Sequence, residues 1–133
     1  SIEQLEGASA FARAAGLQLS EASGLKVVGW IDLTAEHHQP FCIVHGGVYC
    51  SAIETAASIG ASTAVMDQGL VAVGVNNNTN FLAQMTEGRV DVVATPITQG
   101  RTQQLWQVDI TRPTDGRLVA TGQVRLQNIT PRP

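Results

Sequence analysis

His45-Gly46-Gly47-Val48-Tyr49-Cys50-Ser51-Ala52-Ile53-Glu54-Thr55-Ala56-Ala57-Ser58-Ile59-Gly60-Ala61 is the stretch on which the fold turns. With its continuation it predicts one long helix from Gly46 to Met66, closed by Asp67-Gln68-Gly69. Small residues dominate it: Ser51, Ala52, Ala56, Ala57, Ser58, Gly60, Ala61, Ser62 and Ala64. Small side chains let neighbouring backbone come close, so a helix of this kind is expected to be wrapped by other structure. Val48, Ala52, Ala56, Ile59 and Met66 give it an apolar face, and Ser51, Ser58 and Ser62 a narrow polar stripe.

Outward from this helix the pattern changes from a period near four to a period of two. Towards the C-terminus, Leu70–Leu82, Arg89–Ile97, Gln103–Thr111 and Arg117–Ile129 read as strands. In the last two, Trp106, Val108 and Ile110 alternate with Leu105, Gln107 and Asp109, and Val124 and Leu126 with Arg125 and Gln127. Strands of that kind have one face buried and one wet. Thr114-Asp115-Gly116 marks a hairpin, and Glu87-Gly88 and Gln99-Gly100 mark the other connections. Towards the N-terminus, Leu25–Leu33 is a strand, Leu17–Glu21 a shorter one, and Ile2–Ala15 a short amphipathic helix stopped by Gly16. The segment from Thr34 to Val44 is a loop. The expected architecture is a single α+β domain over residues 1–133, an antiparallel sheet curled around one helix.

Composition narrows the function. Only 14% of the 133 residues are charged, about half the usual share, and 44% are hydrophobic. So few charges predict a surface partly covered by further copies of the chain. The net charge is −3, with one lysine and scattered arginines, which argues against nucleic acid as a partner. The uncharged run from Phe41 to Ile53 and its continuation to Met66 hold too much Gly, Ser and Thr for a membrane span. The sequence opens on Ser1 rather than methionine and shows no secretory leader. Cys42 and Cys50 make no disulfide framework, and His37, His38 and His45 lack metal-ligand spacing. A cytoplasmic, metal-free oligomer is expected.

Two features can carry chemistry. Glu54 is the one formal charge between His45 and Asp67, and it lies mid-helix. A buried carboxylate persists only when paired, protonated or functional; pairing with an arginine across an interface, or facing solvent, accounts for it equally well. His45-Gly46-Gly47 opens the same helix. Glycines at a helix N-terminus leave backbone N–H groups uncovered where the dipole adds positive charge, as an oxyanion hole requires. Taken alone, the tripeptide is read more simply as a loop-to-helix junction that needs glycine for its backbone angles. Glu54 follows Gly46 by eight residues, about 12 Å along a helix. That is too far for both to meet one carbonyl within one chain. If both act on one substrate, they come from two subunits.

The run HGGVYCSAIETAASIGA (residues 45–61), followed by VGVNNNTNF (73–81), resembles the hotdog-fold acyl-CoA thioesterases. The similarity lies with the branch typified by the Arthrobacter-type 4-hydroxybenzoyl-CoA thioesterase, near the phenylacetate-pathway enzymes often termed PaaI-like. It extends from about Leu17 to Ile129. The resemblance implies hydrolysis of an aromatic or medium-chain acyl-CoA without a cofactor, CoA being part of the substrate. It implies Glu54 as nucleophile or general base, and Gly46 as the N–H that polarises the thioester carbonyl. Gly47 lies beside Gly46 as a substrate-binding position. His45 and Gln39 would position substrate or water, and Ser58 would assist the carboxylate. Gly100, Arg101 and Thr102 match a turn that contacts the CoA phosphates, where a guanidinium suits the ligand. An ordinary solvated arginine is an equal reading of Arg101. The implied assembly is a homodimer at least, with a tetramer expected.

One departure bears on the phosphates. Relatives often carry Arg-Pro or a similar pair after the position of Phe81, whereas this chain has Leu82-Ala83-Gln84. Asn76 to Asn80 form a polar run suited either to a polar acyl group or to pairing across the sheet; the structural use has the slightly stronger claim. Two other functions fit the fold: a non-catalytic acyl-CoA-binding protein and a dehydratase or hydratase. The Gly-Gly after His45 and the depth of Glu54 in the helix speak against the latter.

Overall fold

The computed structural model describes residues 9–132. The first part of the expected Ile2–Ala15 helix lies outside them. Its end is present as α1 (Ala10–Ala15), where the Ser9 hydroxyl accepts the Ala12 N–H at 3.1 Å and Gly16 closes the helix at φ 84°. Then follow β1 (Gln18–Ala22), β2 (Val27–Leu33), α2 (Gly46–Val65), β3 (Val71–Phe81), β4 (Gly88–Gln99), β5 (Gln103–Arg112) and β6 (Arg117–Ile129). β2 begins two residues later than its pattern predicts, because Ser23 accepts the Leu25 and Lys26 N–H groups and holds a turn there. The expected loop before α2 contains a short 3-10 turn at Ala35–His37 and an isolated bridge between His38 and Val44.

The six strands form one antiparallel sheet in the order β1-β2-β4-β5-β6-β3. Alternation decides which face meets the helix. Ile31, Val90, Val92, Trp106, Val108, Ile110, Val124 and Leu126 are fully buried on that face. The small residues of α2 are explained by what presses on them. A Cβ at Gly60 would lie 2.4 Å from the Trp106 ring, so glycine there leaves room for the indole. Gln104, also buried, is fully partnered: it donates to Ala61 O and to Asn128, and accepts the Trp106 indole N–H at 2.9 Å.

The helix is covered by the sheet on one side and near its start by α1 on the other. Ala52 and Ala56 are buried as their pattern predicts, but Met66 is 61% exposed. The α-helix ends at Val65, and a 3-10 turn at Met66–Gln68 swings that side chain off the apolar stripe. β3 pairs with β6 and is an outer strand, while β4 lies beside β2. Residues 82–87 therefore cross an end of the sheet and pass the start of α2, where Met85 O accepts the Val44 N–H. Among the described residues, no helix is long and apolar enough to cross a membrane.

Candidate active site

The start of α2 is built by its N-cap. His45 Nδ1 accepts the Gly47 N–H at 2.8 Å, and a Cβ at Gly47 would stand 2.8 Å from that nitrogen. Gly47 thus spends its donor on the cap and needs to be glycine for the imidazole to reach it. Gly46, the first helical residue, has no acceptor for its N–H among the described residues. The Phe81 ring lies over it, where a Cβ would be 2.6 Å from Cζ. Gly46 lines a cavity of about 630 Å³ together with Gln39, Tyr49, Phe81, Arg112 and Arg117. The Gln39 carbonyl and side-chain oxygen accept the Cys42 and Phe41 N–H groups, which fixes a tight loop with Cys42 at φ 63°. The loop presents Gln39 to the same cavity as Gly46.

Glu54 lies about two turns further along α2, half-buried, and does not line that cavity. Among the described residues it has no cationic partner. Asn77 Nδ2 donates to Oε1 at 3.2 Å, and the Ser58 hydroxyl donates to Oε2 at 3.4 Å. The carboxylate sits against Gly74 so closely that a Cβ there would be 2.0 Å from Oε2. Ser51 and Ser62, the other members of the polar stripe, bond backbone at Gly47 and Ala72. Thus Ser58 reaches Glu54, and the rest of the stripe anchors the helix.

Asn77 reaches the helix because β3 is bulged. Gly74 pairs with Leu126, but the next pairs are Asn76 with Arg125 and Asn77 with Val124. Leu126 and Val124 both face the helix and Arg125 faces away. The extra residue turns Asn77 inward with Gly74, where strict alternation would have turned Asn76. Thr79 and Phe81 follow Asn77 onto that face, opposite Gly122 and Ala120. Of the polar run, this leaves Asn78 and Asn80 on the outer face near Gln107 and Gln123.

Each remaining predicted residue has a definite place. Gly100, Arg101 and Thr102 form the β4–β5 turn, where Asn128 Nδ2 donates to the carbonyls of Gly100 and Arg101. The ten residues of β5, roughly 33 Å, separate this turn from Arg112 and the cavity. His37 and His38 are spent on structure, their ring nitrogens bonding Thr34 N, Ala14 O and Thr86 O.

Sequence reasoning missed Arg112 and Arg117. They come from the β5–β6 hairpin and line the cavity beside Leu82-Ala83-Gln84. Asp115 binds the Arg112 guanidinium at 2.6 Å, and that contact with the Arg117 N–H holds its carboxyl down to about 2. Among the described residues, Arg117 has no carboxylate partner; it donates to Leu82 O at 3.5 Å. The Tyr49 hydroxyl is buried with no hydrogen-bond partner among the described residues, and burial pushes the phenol up to about 12. It is a neutral phenol across the ordinary pH range.

Comparison with known proteins places the whole chain. Residues 41–119 match the Thioesterase superfamily. Over 120 residues the chain is 45% identical to "Putative esterase Rv1847" of Mycobacterium tuberculosis, covering 89% of this chain and 85% of that protein. Its solved structure superposes with a TM-score of 0.88 over 94% of this chain and 100% of that one. A 1,4-dihydroxy-2-naphthoyl-CoA hydrolase of Listeria monocytogenes is 35% identical over 100 residues, covering 75% of this chain and 80% of the relative. The structure of thioesterase HI1161 from Haemophilus influenzae, 28% identical, superposes with a TM-score of 0.86 over 97% of this chain and 90% of that one. The fold is the hotdog fold. The chain belongs to the thioesterase superfamily and is by class a thioester hydrolase.

Proposed function

We propose that the protein hydrolyses an aromatic or medium-chain acyl-CoA to the free acid and CoA, with no cofactor beyond the CoA of its substrate. The observation that carries this is Glu54: a half-buried carboxylate, without a cationic partner among the described residues, held by neutral donors against a glycine that makes room for its Oε2. Among acyl groups an aromatic one is favoured, because the Listeria relative is named for a naphthoyl-CoA. It also fits the branch that the sequence resembles.

The site is composite. β3 is an outer strand of eleven residues whose edge is unpaired among the described residues, with Val73, Val75, Phe81 and Leu82 exposed on or beside it. Such an edge calls for a partner strand. Along β3, Gly46 lies at Phe81 and Glu54 at Gly74 and Asn77. Antiparallel pairing of two β3 edges about a two-fold axis near Asn78–Thr79 brings Glu54 of one copy towards Gly46 and Gln39 of the other. A homodimer is therefore the smallest active unit, with a tetramer as the assembled form and the cytoplasm as its place.

In that site the thioester oxygen accepts the Gly46 N–H, aided by the helix dipole and the Gln39 amide. Glu54 of the second copy either attacks the carbonyl carbon, giving a mixed anhydride that water opens, or takes a proton from a water that attacks. In both routes a C–O bond forms and the C–S bond breaks. The thiolate of CoA departs readily, because a thiol pKa near 8.5 makes it a good leaving group without a strong general acid. Arg117 at the cavity and Arg101 at the far turn are the guanidiniums placed to meet CoA phosphates, Arg101 from another subunit.

Thiol release from a panel of benzoyl-, naphthoyl-, phenylacetyl- and hexanoyl-CoA tests the reading. Turnover is expected for the wild type, with Glu54→Ala reduced by about 1,000-fold or more. A wild type that releases thiol from no acyl-CoA would overturn the enzyme reading; an undiminished Glu54→Ala would overturn the mechanism.

A further inference from the structure

We infer that Asn77 is the positioning residue for the Glu54 carboxylate, and that the β3 bulge exists at this point to place it. The inference rests on the reading of Glu54 given above. Asn77 is fixed from three sides: its Nδ2 donates to Glu54 Oε1 and to the Cys50 carbonyl, both at 3.2 Å, and its Oδ1 accepts the Thr79 hydroxyl at 2.7 Å. The Cys50 carbonyl, which can only accept, sets the direction of the amide. With its oxygen turned to a hydroxyl donor, the side chain aims its N–H groups at the carboxylate.

Room for this arrangement is made on both sides. A Cβ at Gly122 would come within 2.8 Å of Thr79 Oγ1, and one at Gly74 within 2.0 Å of Glu54 Oε2. Two glycines on neighbouring strands thus clear space for a Thr79–Asn77–Glu54 chain. A donor to an ionised acceptor is among the stronger hydrogen bonds. It leaves the carboxylate charged and nucleophilic, whereas a guanidinium in its place would neutralise it. Within one chain Asn77 is exposed, and among the described residues its tie to the helix backbone is Cys50 O, so its loss removes little packing inside the chain.

The test uses the full chain and the acyl-CoA that it turns over fastest. Asn77→Ala is expected to lower kcat about 10- to 100-fold, with KM within about twofold and the Tm almost unchanged. Asn77→Asp keeps the shape but faces Glu54 with a carboxylate, and is expected to lower kcat at least as far. Glu54→Asp withdraws the carboxylate from the reach of Asn77. In that background Asn77→Ala is expected to cost less than about threefold, because coupled residues do not add. A merely structural Asn77 would cost the same factor in both backgrounds and would lower the Tm. The inference is overturned by wild-type kcat in Asn77→Ala, by full turnover in Asn77→Asp, or by equal losses in the two backgrounds. Glu54→Ala separates the two levels of the account. If it is inactive while Asn77→Ala is unaffected, only Asn77 loses its role; if it is fully active, the reading of Glu54 falls and Asn77 falls with it.

Discussion

The first turn of α2 and its third turn carry the two halves of the proposed chemistry, and they are made in opposite ways. At the first turn everything is local. His45 caps the helix, Gly47 makes room for the imidazole, and Gly46 keeps a free donor because every helix leaves its first N–H groups unpaired. At the third turn almost nothing is local. Glu54 is one turn from Ser58, but its stronger contacts come from β3, about twenty residues on: Asn77 as donor and Gly74 as the gap. A helix end can be an active element from its own sequence alone. A carboxylate in the middle of a helix needs a second element that has been folded to meet it.

That contrast can be attacked at either end. Beside the loss of Glu54 itself, the largest effect is expected at the first turn from Gly46→Pro. Proline suits the first helical position, and His45 at φ −67°, ψ 131° already has the backbone that precedes proline. The substitution removes the donor while preserving the helix, with the Phe81 ring shifting aside. Steady-state kinetics should show kcat down about 100- to 1,000-fold, as for loss of an oxyanion-hole donor. Nearly full activity would mean that the first turn is only a junction.

Next in size is Gly74→Ala at the third turn. The new methyl would lie 2.0 Å from Glu54 Oε2, so the carboxylate must leave its place. Turnover should fall about 100-fold with the fold intact, since a displacement of about 1 Å from the productive geometry costs that much. Circular dichroism together with kinetics would show this; unchanged turnover would remove the argument that the gap matters.

Gly60→Ala lies on the same helix, beyond both active turns, and should affect stability but not chemistry. Its methyl would meet the buried Trp106 ring at 2.4 Å. Overpacking of this kind costs about 1–3 kcal/mol, read as a Tm lower by several degrees. The smallest effect is expected from Tyr49→Phe. Its hydroxyl is buried with no partner among the described residues, so deleting it should leave the Tm unchanged or raise it by about 1–2 °C. A marked loss would show that the hydroxyl has a partner in the assembled protein.

What could be read in advance follows the same division. The long helix, its glycine start, the isolated Glu54 and the alternating strands of the hairpin are local patterns of period and spacing, and the structure contains all of them. The sheet order was not legible, because nothing in Leu70–Leu82 says that it pairs with β6 rather than with the strand that follows it. The polar run 76–80 was visible as a run, but alternation alone chooses Asn76. The bulge at Gly74/Asn76 reverses that choice, and its only trace in the sequence is the glycine. Arg112 and Arg117 enter the cavity because the chain from β3 to β4 passes the far end of the hairpin, a long-range event without a motif. Met66 failed as a core residue for a local reason, the change from α-helix to 3-10 turn at Val65.

The central claim is that one chain supplies the first turn and another the third. Mixing subunits tests it most directly. Gly46→Pro and Glu54→Ala are each nearly inactive on this account. Co-expressed and purified as a mixed dimer population, they should recover about a quarter of wild-type turnover per chain, because random pairing makes about half the dimers mixed and each mixed dimer holds one intact site. If the mixture is no more active than the two variants apart, while sedimentation shows that mixed dimers form, the two turns do not share a site across the interface and the account is wrong.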